Sequence, residues 1–359
     1  MTARSFFQNA LLCFVTIIIA ICIAETSLRA YHSVRWNTSF WSPFGGKDRT
    51  DEYLGWAPKE FVSYTKDTVD NSGTPYNVEY ETYQYGFREW QDTTRSNKRV
   101  WFIGDSYTRA AQVSNDKVYY NIAKQFFPMD VFAFGGGGYS SLQEYLAIEK
   151  YFDEIEPQLI VWQFTPNDFL DNDYILDLSR GGVGTGKRPY LIDGSVKYAS
   201  TLPTLNRILF EVAEDTSSQL LHLIHGRIFS FTVDGKTENL YHEIEQSGAD
   251  HPDLARSYQT TKSIMQMVLR RVDGTKVVAF SVRDQPPFYQ AFQDIMKDVG
   301  IEIITEVPEE LNAAEARGVE IRAMDGGHWN EQGHEIAGVA IAKGLNRLLE
   351  HDRKSGRAE

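Results

Sequence analysis

The N-terminus is strongly hydrophobic, and its run Phe6–Ala24 contains no charged residue. Arg4 precedes this run and Glu25 follows it. A helix of about 20 apolar residues is long enough to span a bilayer, so we predict a transmembrane anchor at residues 1–24. A cleaved signal peptide is the alternative, although Cys22-Ile23-Ala24 is a poor cleavage site.

Residues 25–98 are rich in aromatic and turn-forming residues and show no long helical period. Trp36, Trp41 and Trp56 belong to this stretch, and large aromatic side chains of this kind contribute strongly to core packing. We interpret the stretch as a leader with irregular structure or short strands that packs on the main domain.

From Arg99 onwards, short apolar runs alternate with amphipathic stretches. The runs predict strands at Val100–Ile103, Val131–Phe134, Leu159–Phe164, Lys276–Val282 and Ile301–Val307, and the stretches predict helices at Ser141–Ile155, Ser257–Val272, Phe288–Val299 and Asn330–Glu350. Such alternation is typical of a parallel sheet that is covered on both faces. Because crossovers between parallel strands are right-handed, we predict an α/β domain at residues 99–350 with a doubly wound, five-stranded parallel sheet in flavodoxin-like order.

An insert, residues 171–256, separates the third and fourth predicted strands and is much longer than an ordinary connection. Its segment Arg188–Tyr198 predicts a hairpin with a turn at Asp193-Gly194, and Leu205–Ile228 predicts one or two helices. A structured insert beside the carboxyl ends of the strands is expected to form a lid or a wall of the substrate site.

Charge and cysteine content exclude several classes of function. The formal net charge is −13, and Lys and Arg form no cluster, which argues against a nucleic-acid partner because phosphate binding depends on such clusters. The only cysteines, Cys13 and Cys22, fall in the N-terminal apolar run, which excludes disulfides, Cys-based metal sites and a Cys nucleophile from the rest of the chain.

Four aspartates near the start of the insert match no calcium-ligand spacing, and we interpret them as a solvated acidic turn. They are Asp168, Asp171, Asp173 and Asp177.

The first candidate for catalytic chemistry is Gly104-Asp105-Ser106, which follows the predicted strand Val100–Ile103 and opens a predicted helix. Catalytic groups collect at the carboxyl ends of parallel strands, and a Ser at a helix N-terminus can point its own backbone N–H at an oxyanion. An ordinary helix N-cap is the alternative interpretation, because Asp and Ser are preferred there.

The second candidate, Asp325-Gly326-Gly327-His328, lies directly before the last predicted helix. Serine catalysis needs an imidazole that takes the serine proton and a carboxylate that holds the imidazole in the right tautomer. An Asp three residues before a His can supply both from one loop, although a capping turn with an incidental His is the alternative. A metal site at His328 and His334 is disfavoured, because His334 falls within the predicted helix and no third ligand stands nearby in sequence.

Two further groups follow predicted strands, Gly135–Gly138 after the second and Thr165-Pro166-Asn167-Asp168 after the third. Each alone is more often a loop or a turn. A parallel sheet, however, gathers these strand ends along one edge. There a glycine N–H, the Asn167 amide and the Ser106 N–H would form an oxyanion hole with three donors.

The order of these motifs, Gly-Asp-Ser, a glycine loop, Asn-Asp and a late Asp-x-x-His, resembles that of the SGNH/GDSL hydrolases over about residues 99–350, except for the insert. The resemblance implies that Ser106 is the nucleophile, that His328 is the general base and that Asp325 orients His328. It also implies an oxyanion hole made by Ser106, Gly138 and Asn167. It implies no cofactor and no metal.

The chain departs from the family pattern at two positions: Thr165 stands where a Gly is common, and Ala133 stands where an Asn is frequent. Upstream, Leu54-Gly55-Trp56 and Tyr83–Arg88 resemble the leader of membrane-anchored bacterial members of the family.

The resemblance implies a serine esterase that hydrolyses acyl esters. We expect an acetyl group on a cell-envelope or exported glycan, because an N-terminal anchor followed by a long domain normally leaves that domain outside the cytoplasm, in the periplasm of a Gram-negative cell. An O-acetyltransferase with the same triad is one alternative. A non-catalytic glycan-binding or scaffold component of an envelope assembly is another.

Overall fold

The computed structural model describes residues 3–36, 39–42, 47–94, 98–182, 186–233, 236–248 and 251–355. The strands are β1 (Asp48–Asp51), β2 (Gly55–Pro58), β3 (Ser63–Val69), β4 (Pro75–Glu81), β5 (Lys98–Gly104), β6 (Met129–Gly135), β7 (Leu159–Phe164), β8 (Arg188–Ile192), β9 (Ser195–Ala199), β10 (Lys276–Ser281) and β11 (Glu302–Ile303). The α-helices are α1 (Ala3–Trp36), α2 (Ser106–Arg109), α3 (Tyr119–Lys124), α4 (Ser141–Ile155), α5 (Asn167–Asn172), α6 (Tyr174–Arg180), α7 (Thr204–Asp215), α8 (Gln219–Val233), α9 (Lys236–Ser247), α10 (Pro252–Arg271), α11 (Phe288–Val299), α12 (Glu306–Ala316) and α13 (Glu331–Ser355).

The central sheet has five strands in the order β6-β5-β7-β10-β11, and all its pairings are parallel. The first strand of the domain thus lies between the second and the third, which is the flavodoxin-like order. This confirms the predicted α/β fold class with its doubly wound five-stranded sheet.

Both faces of the sheet are buried, which explains why its strands are continuous apolar runs. Alternate residues enter different cores: Trp101 and Trp162 pack with α4, α10 and α11 on one face, whereas Phe102 and Val161 pack with α3, α12 and α13 on the other. The carboxyl ends of β5, β6 and β7, each followed by a candidate motif, therefore meet at one edge.

The fifth predicted strand, Ile301–Val307, is wrong in length. Only Glu302–Ile303 pairs with β10, and α12 begins at Glu306. Glu306 and Glu309 lie in the first turn of α12, where acidic residues are favoured, and Pro308 is tolerated there because first-turn N–H groups have no intrahelical partner. The edge strand therefore gives way early to a helix.

The N-terminal helix α1 continues past residue 24 to Trp36, so the interpretation of residues 25–98 as lacking helix is wrong for their first part. Beyond the apolar run, Arg29 Nε donates to Glu25 Oε1 at 2.7 Å, an ion pair at the i, i+4 spacing that supports a helix. The later leader forms the antiparallel pairs β1–β2 and β3–β4. The division of the chain at residues 24 and 98 remains a prediction.

The insert contains the predicted hairpin, in which β8 pairs with β9 around Asp193 and Gly194. Both turn residues have positive φ, 51° and 73°, as a two-residue hairpin turn of type I′ requires. Two helices, α7 and α8, occupy the segment predicted as helical, and α9 is a further helix that was not predicted.

Candidate active site

Ser106 lies at a sharp passage from strand to helix. It is the first residue of α2, and the buried Asp105 before it is the N-cap, whose Oδ1 accepts from the Tyr107 N–H at 2.9 Å. The strand ends in Gly104, where a Cβ would lie 2.2 Å from Gln163 Oε1, so a side chain there would clash. As a first-turn residue, Ser106 has a backbone N–H without an intrahelical acceptor.

The structure brings Ser106, His328 and Asp325 together. His328 Nε2 is 2.8 Å from Ser106 Oγ, and His328 Nδ1 is 2.8 Å from Asp325 Oδ2. An imidazole placed between a hydroxyl and a carboxylate is the arrangement that activates a serine. The positions that the sequence singled out therefore meet in space, although 222 residues separate Ser106 from His328.

The charge of Asp325 decides which nitrogen of His328 carries the proton. Partial burial raises the pKa of Asp325, but the hydrogen bond and charge of His328, together with the N–H groups of His328 and Gly327, outweigh it and hold the pKa well below its usual range. Asp325 is therefore ionised at neutral pH. An ionised carboxylate favours the proton on Nδ1 and leaves Nε2 free to accept from Ser106.

The loop that carries His328 is held by residues that no sequence motif had indicated. The Gly327 carbonyl accepts from the Tyr107 hydroxyl at 2.7 Å, from Arg283 at 2.9 Å and from Arg322 at 3.2 Å. Gln112 Nε2 also donates to Asp325 Oδ2 at 3.0 Å. Only the folded chain shows these roles, because the residues come from distant parts of the sequence and match no motif.

Leader residues also contact this loop. The Asn71 N–H, in the turn between β3 and β4, donates to the Arg322 carbonyl at 3.0 Å, and Asp70 bridges to Ala323. The Ala323 N–H in turn donates to the His328 carbonyl at 2.8 Å. A leader hairpin thus supports the segment that positions the imidazole.

The three predicted oxyanion donors follow β5, β6 and β7 at the same edge of the sheet. The glycine loop packs tightly on the Ser106 turn, since a Cβ on Gly135 would lie 2.5 Å from the Asp105 carbonyl. Gly138 has φ +67°, and within the described residues neither its N–H nor that of Ser106 donates to an acceptor. Asn167 begins α5, and its Nδ2 donates to Asp171 Oδ2 at 2.8 Å.

No protein-family model matches the chain, and no curated protein matches it. Solved structures do. A lipase/acylhydrolase from Enterococcus faecalis has 11% identity and a TM-score of 0.39, with 70% of this chain and 96% of that chain covered. The esterase EstA from Pseudoalteromonas sp. has 7% identity, 71% and 100% coverage and a TM-score of 0.39. A family 3 carbohydrate esterase from Clostridium thermocellum has 10% identity, 71% and 98% coverage and a TM-score of 0.39.

At TM-scores below 0.5 these similarities decide nothing about the site, whose chemistry follows from its own geometry. The sheet order and the edge at which the motifs meet are those that the pattern of apolar runs predicted. The roles of the individual site residues remain predictions.

Thr165, at one of the two departures from the family pattern, takes part in the support of Ser106. Its hydroxyl donates to Asp105 Oδ2 at 2.9 Å and accepts from Gln163 Nε2 at 2.7 Å. Burial raises the pKa of Asp105, although the Tyr107 N–H and the Thr165 hydroxyl oppose this effect. A glycine could not make this bridge.

The four aspartates interpreted as a solvated acidic turn are buried, so that interpretation is wrong. Arginines that come later in the chain neutralise three of them: Asp171 and Asp177 pair with Arg180 and Arg188, and Asp173 pairs with Arg256. Asp168, also buried, accepts instead from the Thr165 N–H at 2.7 Å. Burial and neighbouring carboxylates raise the pKa of Asp168 well above its usual range.

Arg188, from the insert hairpin, contacts the neighbourhood of two predicted oxyanion donors, Gly138 and Asn167. Its guanidinium donates to the Gly138 carbonyl at 2.9 Å and pairs with Asp171 Oδ1 at 2.9 Å, and Asp171 Oδ2 accepts from Asn167. A single buried cation therefore links the glycine loop to the carboxylate that holds the Asn167 amide.

His334 has no place in this site. It is buried in α13, and its ring stacks on Tyr119 with a centroid distance of 5.9 Å. Burial lowers the pKa of His334 to about 3, so this ring is neutral and packs as part of the core.

Proposed function

We propose that this chain is a membrane-anchored serine esterase of the SGNH/GDSL type. The observation that carries the proposal is the continuous hydrogen-bonded chain from Ser106 Oγ through the His328 ring to Asp325. Such a chain makes a serine hydroxyl nucleophilic near neutral pH, where it is otherwise protonated and weak.

In the first half of the reaction, Ser106 Oγ attacks the carbonyl carbon of the ester while His328 Nε2 takes the hydroxyl proton. The ionised Asp325 stabilises the imidazolium that forms. His328 then gives this proton to the oxygen of the leaving alcohol as the ester C–O bond breaks. The acyl group remains on Ser106.

In the second half, water attacks the acyl carbon and gives a proton to His328. The bond between the acyl carbon and Ser106 Oγ breaks, and His328 returns the proton to Oγ. The products are the free acid and the original enzyme, so one ester and one water are consumed in each cycle.

The tetrahedral intermediate of each half carries a negative oxygen. We assign its stabilisation to the N–H groups of Ser106 and Gly138 and to the side-chain amide of Asn167. The unused backbone N–H groups support this assignment. So does the second N–H of the Asn167 amide, because the first is bound to Asp171.

For the substrate we propose an acetyl ester on a cell-envelope or exported glycan. This part of the proposal depends on location. The helix α1 is long and apolar enough to cross a bilayer, a criterion that a signal sequence also meets, and a domain that follows such an anchor is normally exported. Esters on surface glycans are then the acyl groups within reach.

The test uses the full chain in detergent with three measurements: labelling by a fluorophosphonate, turnover of p-nitrophenyl esters of increasing acyl length, and acetate release from acetylated glycans. We expect labelling and turnover that Ser106→Ala abolishes. A chain that neither labels nor turns over any ester would refute the esterase and favour the non-catalytic alternative. Transfer of acetate to an added glycan acceptor, in place of its release, would identify the transferase.

A further inference from the structure

The juxtamembrane part of α1 is joined directly to the insert. The Glu25 carboxylate accepts from the Ser218 hydroxyl at 2.9 Å and from the N–H groups of Gln219 and Leu220 at 3.0 and 2.9 Å. These donors belong to the first turn of α8 or directly precede it, so Glu25 acts as an N-terminal cap for a helix almost 200 residues away in sequence.

Two further residues of α1 strengthen this junction. Arg29 donates to the Ser217 carbonyl, and His32 Nδ1 lies 2.8 Å from Gln219 Oε1. Glu25, Arg29 and His32 are spaced by four and three residues, so they lie on one face of α1. That face binds the turn between α7 and α8.

The junction relates the start of α8 to the end of the apolar run of α1. Glu25 is the first charged residue after the run Phe6–Ala24, and a carboxylate is costly inside the hydrocarbon core of a bilayer. If α1 spans the membrane, Glu25 lies at its polar boundary. The first turn of α8, which Glu25 caps, then lies at the same level.

The two helices that this turn joins, α7 and α8, expose large apolar side chains, which we name the apolar face of the insert. On α7 they are Leu205, Ile208 and Val212, and on α8 they are Leu223, Ile224 and Phe231, which is 94% exposed. Single exposed apolar residues are common, but a set on two adjoining helices marks an interaction surface. Arg227 is exposed beside them, at the spacing that places it between Ile224 and Phe231.

We propose that the apolar face of the insert lies on the membrane that α1 crosses, with its side chains among the lipid head groups and upper acyl chains. Helices with exposed apolar residues and an adjacent basic side chain bind bilayer surfaces in this way. The inference rests on the membrane anchor proposed above. A bilayer is favoured over a protein partner because the Glu25 cap already holds the start of α8 at the bilayer boundary.

The experiment places an environment-sensitive fluorophore at single positions of the full chain in vesicles of phosphatidylethanolamine and phosphatidylglycerol. Cys13 and Cys22 are the only cysteines and are first replaced by Ala. The probe is then attached to Leu223→Cys or Phe231→Cys. Phe126→Cys is the matched control, since Phe126 is an exposed phenylalanine just before β6. It lies at the amino ends of the strands, whereas the insert follows the carboxyl end of β7.

We expect probes at positions 223 and 231 to show blue-shifted emission, quenching by nitroxide-labelled lipids and loss of quenching by aqueous iodide, whereas the probe at 126 shows the reverse. Vesicle-bound protein whose probes at 223 and 231 behave like the control would overturn this inference and leave the anchor standing. Protein that does not float with the vesicles would overturn both. Probe shielding that persists in detergent, with cross-linking between copies, would assign the face to a protein interface.

Discussion

Ser106 and His328 are consecutive members of one hydrogen-bonded chain, so we expect that neither functions without the other. We predict that Ser106→Ala and His328→Ala each reduce kcat to the level that binding and the oxyanion hole supply, about 10³–10⁴-fold above the uncatalysed rate. The double variant should be little worse than either single one. Steady-state kinetics on a p-nitrophenyl ester tests this, and additive losses would show that the pair is misassigned.

The lowered pKa of Asp325 predicts how the free energy of unfolding depends on pH. Its native pKa lies well below its usual range, so its charge stabilises the fold above the unfolded-state pKa of about 3.9, and this contribution is lost as pH falls below that value. The free energy of unfolding should therefore differ between wild type and Asp325→Asn near neutral pH, and the difference should shrink in acid. Urea titrations at several pH values measure it, and a constant difference would contradict the assignment.

Single residues also show where sequence reasoning stops. Ser106, Asp325 and His328 could be singled out because catalytic chemistry limits the residue types and their order. The partners of Asp171 could not, because neither Arg180 nor Arg188 stands at a helical spacing from it and only the fold brings them together. Four neighbouring aspartates in a sequence resemble a solvated turn, and the buried arginines reverse that interpretation.

At the scale of elements, the insert hairpin contributes Arg188 to the site, where its guanidinium binds both the Gly138 carbonyl and Asp171. We predict that Arg188→Lys lowers kcat about tenfold, equal to about 1.4 kcal/mol of transition-state stabilisation, with little change in KM. A lysine keeps the charge, but its single ammonium lacks the planar fork that contacts both groups.

The matched control for this variant is Arg180→Lys. Arg180 is equally buried and pairs with Asp171 and Asp177, but within the described residues it makes no hydrogen bond to Gly138. We expect this variant to lose stability with a smaller loss of kcat. Equal kcat losses in the two variants, with equal shifts in the urea midpoint, would mean that the network only stabilises the fold.

Elements were predictable where their hydrophobic pattern is one-sided or continuous. Helices α4 and α11 have the predicted bounds, and β7 does too. Among the elements that were predicted, the errors fall at ends that long-range contacts or local capping determine. Helix α1 extends beyond its apolar run because the insert binds Glu25 and Arg29. Strand β11 is short because α12 begins at Glu306.

For the whole molecule, the proposed anchor predicts the side of the membrane on which the domain lies. In a Gram-negative host, protease added to spheroplasts should digest the domain, and alkaline carbonate should leave the chain in the membrane fraction. A cytoplasmic marker protein that stays intact is the control for lysis. Protection of the domain, or its extraction by carbonate, would contradict an exported domain on a retained anchor.

The continuity of α1 beyond the apolar run limits where the proposed esterase can act. Residues 25–36 extend for about 18 Å as helix, with the Glu25 end bound to the insert and the other end packed on the leader, where Arg35 donates to the Thr65 carbonyl at 2.9 Å and Trp36 contacts Tyr64. A domain on a loose tether would sweep a volume around its attachment point. With α1 in the membrane, Ser106 would instead stay at one height above the bilayer, and the proposed esterase would deacylate a long polymer only along the portion that passes through that layer.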